Sequence, residues 1–363
     1  MARLGDVATY VNGYAFKPSN WSDTGLPIIR IQDLTGNSYQ ANRYNGEYDK
    51  RFEVNDGDIL ISWSASLGVY IWTGEKAVLN QHIFKVVFDK AEVNKSFFVH
   101  QVQNILEKAA SQAHGATMKH LTKPVFDALP FNLPSLAEQQ HIASVLDKLS
   151  DLISLRKQQL AKLDDLVKAR FVEMFGDPVQ NPMKWNMEPL SRNAVLLNGK
   201  AFNQDELLNK GKYPVLRVGN FFSNRGWYYS NLELDDDKYC DSGDLLYAWS
   251  ASFGARIWDG GKVIYHYHIW KILVGDAYCK EFLCKLLDYV TISLMNDTHG
   301  IAMMHLTKSG MEQTAMIVPP IQLQQQFVGF VNQINRQKLT IQQSLDKLEV
   351  LKRSLMQEYF GGA

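Results

Sequence analysis

Gly57-Asp58-Ile59-Leu60-Ile61-Ser62-Trp63-Ser64-Ala65-Ser66-Leu67-Gly68 returns later in the same chain as Gly243-Asp244-Leu245-Leu246-Tyr247-Ala248-Trp249-Ser250-Ala251-Ser252-Phe253-Gly254, an offset of 186 residues from Gly57 to Gly243. The match extends outward in both directions at nearly the same spacing. Upstream, Asn12-Gly13 and Ala15-Phe16 align with Asn198-Gly199 and Ala201-Phe202, and residues 27–30 with 214–217. Downstream, Ile71-Trp72 aligns with Ile257-Trp258, residues 82–85 with 268–271, and residues 114–123 with 299–308. Self-similarity over nearly the whole length marks an internal repeat, so the chain holds two copies of one globular domain.

Size and composition agree with two domains. The 363 residues exceed one ordinary core and suit two domains plus connecting structure. With 46 % hydrophobic and 21 % charged residues, no apolar run long enough to span a bilayer and no basic-then-apolar start, a soluble cytoplasmic protein with no membrane contact is expected. The cysteines Cys240, Cys279 and Cys284 form no CxxC pair and have no counterparts in the first copy, which argues against a disulfide framework or a zinc site. The 38 basic and 38 acidic residues cancel. A nucleic-acid binder of this composition must concentrate its positive charge locally or take it from a partner.

Within each copy, Val/Ile/Tyr/Trp-rich stretches of strand length alternate with Gly, Asn and Asp turn signals, and residues 96–112 and 278–295 read as helices. The fold class is therefore α+β, with two pseudo-repeated mixed domains. A proline-marked boundary and a long helix follow each copy. Ser135 is placed as N-cap with Glu138 in the capping-box position, and Val318-Pro319-Pro320 opens the second helix. The boundaries are 1–134 and 177–319 for the domains, and 135–176 and 320–363 for the helices.

Spacings of four and three connect Ile142, Leu146, Leu149, Ile153, Arg156, Leu160, Leu163, Val167, Arg170 and Met174 in the first helix. The second gives Phe327, Val331, Ile334, Lys338, Ile341, Leu345, Leu348, Lys352, Leu355 and Tyr359. A period of about 3.5 residues is that of a coiled-coil seam, and two such helices are expected to pair. The copies differ in their polar seam positions, since Ile153 aligns with Lys338 and Arg156 with Ile341. Two readings stand: these residues fix register, or they extend to solvent from the seam edge.

No recognisable catalytic constellation accompanies the repeat. There is no phosphate loop, HExxH or GxSxG, and Gly260-Gly261-Lys262 is followed by Val263 rather than Ser or Thr. Asn181-Pro182-Met183-Lys184 reads as a linker turn, and the recurring His82 and His268 as packed strand histidines.

This organisation resembles the specificity subunit of a Type I restriction-modification system. The resemblance rests on the Gly-Asp-(Ile/Leu)-Leu strands at 57–60 and 243–246, on the Pro-x-x-x-x-Gln helix starts at 134–139 and 319–324, and on the tandem order of domain, long helix, domain, long helix. It implies that each copy is a target-recognition domain reading one half of a bipartite asymmetric site in double-stranded DNA. It further implies antiparallel helices that space the domains and dock two methyltransferase subunits, with restriction subunits completing the complex. S-adenosylmethionine, ATP and magnesium would belong to those partners, and this chain would bind no cofactor and catalyse nothing. A related Type II-like system with a fused methyltransferase-nuclease partner is an alternative, and a tandem protein-binding scaffold is another.

Base reading in the major groove uses Arg or Lys for guanine and Asn or Gln for adenine. Arg30 and Gln32 in the first copy, with Arg217 and Asn220 in the second, offer such groups at matched positions. Trp63, Ser64 and Ser66, with Ser250 and Ser252, are candidates on polar loops after a buried strand, where the alternative is a serine-capped turn. Lys119, His120 and Lys123, with His305 and Lys308, form a repeated basic cluster, where the alternative is a solvated helix face. Arg225 precedes Trp227-Tyr228-Tyr229 where the first copy has residues 39–44 with Arg43; the arginines are candidates, and the aromatics read as core. The shared motifs predict half-sites that are chemically related.

Overall fold

The computed structural model describes residues 2–36, 42–64, 66–112, 122–223, 225–296 and 306–361. The chain divides into two compact units, residues 1–158 with 342–363 and residues 159–341, and the division falls inside both long helices, Leu136–Phe175 and Ile321–Phe360. Among the described residues no helix is long and apolar enough to cross a membrane.

In the first unit the strand Ile59–Ser62 is buried at every position. A strand apolar on both faces must be covered on both. Ile59 and Ile61 pack with Phe97, Phe98 and Val102 of the helix Lys95–Gln112, while Leu60 packs with Ile29, Val54, Ala77 and Leu79 of a second sheet. The larger sheet is antiparallel throughout, in the order Thr9–Asn12, Ile83–Val87, Ile59–Ser62, Gly68–Ile71. The smaller runs Arg43–Tyr44, Leu26–Ile29, Ala77–Leu79, Glu53–Val54, and its central pair is parallel.

The second unit repeats this arrangement down to the register. Its larger sheet runs Ala194–Asn198, Ile269–Val274, Leu245–Ser250, Ser252–Ile257, and its smaller one Tyr228–Ser230, Tyr213–Leu216, Val263–Tyr265, Tyr239–Cys240. Leu246 pairs with Lys271 as Leu60 does with Lys85, and Leu216 with Tyr265 in parallel as Ile29 does with Leu79. The duplicated Asn-Gly steps are explained by crowding. A Cβ on Gly13 would lie 2.0 Å from the Asn80 carbonyl oxygen, and one on Gly199 would lie 2.3 Å from that of Tyr265.

The long helices begin where the prolines and caps place them. Ser135 Oγ accepts from the Glu138 N–H at 3.4 Å. The glutamines of the two Pro-x-x-x-x-Gln motifs are fully buried and tie each long helix to its own domain. Gln139 Oε1 accepts from the Asn94 N–H at 2.9 Å while Nε2 donates to the Pro134 carbonyl. Gln324 Oε1 accepts from the Cys279 N–H at 2.9 Å while Nε2 donates to the Ala277 and Pro319 carbonyls.

Every position of the heptad pattern is buried or half-buried in both helices. Contacts within each unit run antiparallel. In the first unit Lys352 Nζ donates to Ser150 Oγ at 2.9 Å and Lys157 pairs with Glu349, while in the second Lys338 Nζ reaches Asp164 Oδ1 at 2.6 Å and Arg170 lies over the Phe330 ring. Lys338 and Lys352 thus bond across the seam. The helix ends complete the domain cores: Phe360 meets Phe97 at 5.5 Å in the first unit, and Phe175 meets Phe282 at 4.8 Å in the second. All four rings are buried.

Two sequence expectations change. The Trp-Ser-Ala-Ser segment of the second copy is the corner of a hairpin, with Ser250 paired to Ser252 around Ala251 at φ 64°, rather than a loop following a strand. His82 and His268 stand in the turns before the strands Ile83–Val87 and Ile269–Val274, not within strands, and His82 has φ 71°.

Replacing Phe360 by alanine should lower the stability of the first unit by about 3–5 kcal/mol, the usual cost of emptying a buried aromatic site. Amide exchange should show the loss in the strand Ile59–Ser62 and leave Leu245–Ser250 protected. Gln324→Leu should cost about 1–3 kcal/mol in denaturant unfolding, because the Cys279 N–H and the Ala277 carbonyl lose their partner in a dry site.

Candidate nucleic-acid interface

Parallel strands end on the same edge of a sheet, and the loops that follow them converge there. In the second unit Leu216 and Tyr265 are such a registered pair, so Arg217 and His266, the next residues of each strand, meet at one edge. The hairpin corner at 250–252 joins them because the Trp249 N–H donates to the His268 carbonyl at 3.0 Å. Together they line a cleft of about 1150 Å³.

Arg217, Asn220, Arg225, Ser250 and Ser252 all line this cleft. Arg217 caps the short helix Val218–Phe222 and sets its guanidinium 5.2 Å from the centre of the Tyr228 ring. Asn220 Nδ2 donates to the Arg225 and Gly226 carbonyls at 2.8 and 3.1 Å, which shapes the loop carrying Arg225. Trp227, 38 % exposed, lines the cleft rather than belonging to the core as its aromatic run suggested.

Among the described residues, no aspartate or glutamate lines the cleft. In a chain of zero net charge, two arginines in a pocket without carboxylates make a locally positive surface. His266 adds a neutral donor: burial foremost, then His268 and Arg217, push its pKa down to about 4. Its Nδ1 accepts from the His268 N–H at 3.4 Å, which leaves the ring proton on Nε2. Cationic forks, amides, hydroxyls and aromatic faces are the groups that contact phosphates and base edges. Among the described residues no cluster of three or more His, Cys, Asp or Glu could hold a metal ion.

The same edge of the first unit is built differently. Arg30 again caps a short helix, Ile31–Leu34, but its Nε lies 3.6 Å from Asp33 Oδ2 and its guanidinium 5.5 Å from the centre of the Trp21 ring. Asn80 and Gln81 stand where the second copy has His266 and Tyr267, as the matching bridges Tyr14 to Asn80 and Lys200 to His266 show.

The chain matches the family described as the Type I restriction modification DNA specificity domain twice, over residues 1–165 and 185–351. It belongs to that family. An Escherichia coli protein named Type I restriction enzyme EcoBI specificity subunit is 32 % identical over 168 residues, covering 46 % of this chain and 35 % of that protein. The MjaVIII specificity subunit of Methanocaldococcus jannaschii is 24 % identical, covering 68 % of this chain and 63 % of its own, so the chain spans less than two thirds of either relative. The EcoKI specificity subunit of E. coli is 23 % identical over the whole chain and 88 % of its own length. A crystal structure of a Type I restriction-modification S subunit from M. genitalium shares the fold, with a TM-score of 0.56 at 14 % identity over 98 % of this chain and 94 % of that one.

For a specificity-domain protein, the placement of the remaining candidates matters most. Arg43 is held by the Gly25 carbonyl and Glu75, both at 2.6 Å, and its strand position, opposite Pro27, corresponds to Tyr229 rather than to Arg225. Gln32 is half-buried on the short helix. Trp63 stacks on Phe84 and donates from Nε1 to Asn12 Oδ1 at 3.2 Å. Ser64 is buried like Ser250, whereas Ser66 and Ser252 are exposed. Lys123 pairs with Asp127 and Lys308 with Glu312 along their own helices. Lys119, His120 and His305 lie outside the described residues. His266 and Tyr267 were missed because neither recurs in the first copy, and the signal that points to them is their place immediately after a strand of the parallel pair.

The His266 shift makes a pH prediction. An unfolded chain protonates this ring near pH 6.5, whereas the folded chain holds it neutral down to about 4, so stability should fall as pH drops through that window. The Tm of His266→Asn should show a shallower decline there than the parent; identical slopes would remove the assignment.

Proposed function

We propose that this chain is the DNA sequence-specificity subunit of a Type I restriction-modification complex, acting in the cytoplasm and carrying no catalytic chemistry itself. The observation that carries the reading is the duplication of one specificity domain, register for register, with a cleft at the parallel-strand edge of the second copy that is lined by two arginines and, among the described residues, by no carboxylate. Each copy reads one half of a bipartite duplex target, and the two halves are unlike because the two edges are unlike. The long helices, 40 residues each and about 60 Å long at 1.5 Å per residue, set the gap between the half-sites.

The helices also supply a surface for partners. Leu152, Leu155, Val350 and Leu351 in the first unit, and Leu166 and Leu339 in the second, are exposed on them, with Leu339 61 % accessible. Apolar side chains at this density on a solvent face suit protein docking. In this reading they receive two methyltransferase subunits, which bring S-adenosylmethionine and flip the target adenine, while restriction subunits bring ATP and magnesium chemistry. A neighbouring solved structure at TM-score 0.56 comes from work on complex assembly and conformational transition of the type I R-M system, which supports looking for such partners.

Sequencing modified adenines in cells carrying this chain with its methyltransferase should give one bipartite motif that vanishes when the chain is deleted. Exchanging residues 1–134 with 177–319 should reverse the order of the two half-motifs. A modification pattern indifferent to the chain would end the proposal. Leu155→Asp with Leu339→Asp should abolish co-purification of the methyltransferase while leaving the Tm of the chain unchanged.

A further inference from the structure

The two copies place an arginine at the same point, immediately after the first strand of the parallel pair, and surround it in opposite ways. Arg30 is spoken for. Its guanidinium lies beside Asp33, whose Oδ2 also accepts from the Arg30 backbone N–H at 2.8 Å. With the Asn42 amide oxygen turned toward it, that oxygen accepts from Nη1 at 2.6 Å and Nη2 at 3.2 Å. The side chain is only 16 % exposed, and its guanidinium carbon lies 5.5 Å from the centre of the Trp21 ring. An arginine so engaged holds its own loop together.

Among the described residues, Arg217 has no such partner. The position of Asp33 is taken by Asn220, a neutral amide that turns away to the carbonyls of Arg225 and Gly226. The Arg217 guanidinium carbon lies 5.2 Å from the centre of the Tyr228 ring, and the side chain lines the cleft. An aromatic neighbour confines the side chain without offering the N–H fork a carboxylate or carbonyl acceptor, and that fork is what guanine O6 and N7 accept in two parallel hydrogen bonds. A carboxylate beside it would compete for that fork, and none lines the cleft among the described residues.

We infer that the second copy reads a guanine in its half-site through Arg217, and that Arg30 in the first copy is a structural residue that reads no base. This rests on the proposed DNA-recognition function and goes beyond it by assigning a specificity-determining residue and the base it selects.

The test is selection of duplexes by the full-length chain from a library with two randomised blocks at variable spacing, followed by sequencing. The parent chain should enrich a guanine at one position of one block. Arg217→Ala should reduce that preference about 10- to 100-fold and leave the other positions as they were. Arg217→Lys should also fail to restore it, because an ammonium lacks the fork; a phosphate contact would survive this change. Arg30→Ala should lower the Tm and leave both selected blocks unchanged. Selection of the parental sequence by Arg217→Lys, or a base preference altered by Arg30→Ala at unchanged Tm, would overturn the inference. No enrichment by the parent chain would overturn the DNA-recognition reading itself, and the inference with it.

Discussion

Each domain core is closed by an aromatic ring delivered from the end of a long helix. Phe360 meets Phe97 in the first unit and Phe175 meets Phe282 in the second, and all four are removed from water. A buried aromatic contributes a few kcal/mol, a large fraction of the margin by which a domain is folded. The consequence is that neither domain is a self-sufficient bead on a string. The first unit is complete only with residues beyond 342, so the end of the chain reports on the folding of its beginning.

The glutamine clamps act on the same coupling from the other side. Gln139 and Gln324 bind the backbone at the start of the domain helix and the turn that opens the long helix, so the orientation of each domain on its own long helix is set by hydrogen bonds from buried side chains. Directional bonds suit this role better than apolar contact, which tolerates sliding. Lys338 with Asp164, and Lys352 with Ser150, do the equivalent within the seam. Both lysines sit at heptad positions, and each finds an acceptor on the opposite helix rather than reaching out to water. A polar seam residue with a single partner penalises every other register.

Much of this was legible from residues alone, for a physical reason. The Ile59–Ser62 and Leu245–Ser250 strands are covered on both faces, so their side chains are constrained twice over and the repeat shows most plainly there. The heptad positions were legible because their period is fixed, and all of them are buried or half-buried. The edge that forms the cleft was not. Arg217, the 250–252 corner and His266 come from three separate segments, which are brought together by the parallel pairing of Leu216 with Tyr265 and by the bond from the Trp249 N–H to the His268 carbonyl. His82 and His268 were misplaced because apolar strand residues follow each of them immediately, and a one-residue turn boundary leaves no mark in the pattern.

The division of labour between shared and differing residues bears on what the two copies recognise. Gly13 and Gly199, Trp63 and Trp249, Phe97 and Phe282, Gln139 and Gln324 occupy matched positions, and each is explained by packing, close approach or a backbone clamp. The residues that differ, Asp33 against Asn220, Asn80 against His266, Gln81 against Tyr267, gather at the open edge. The shared motifs therefore speak for a shared scaffold. The neutral charge of the chain resolves in the same terms. One edge cancels its arginine internally, and the other sets two arginines in a cleft where no described residue is a carboxylate, so a protein with no net charge still has a locally positive surface.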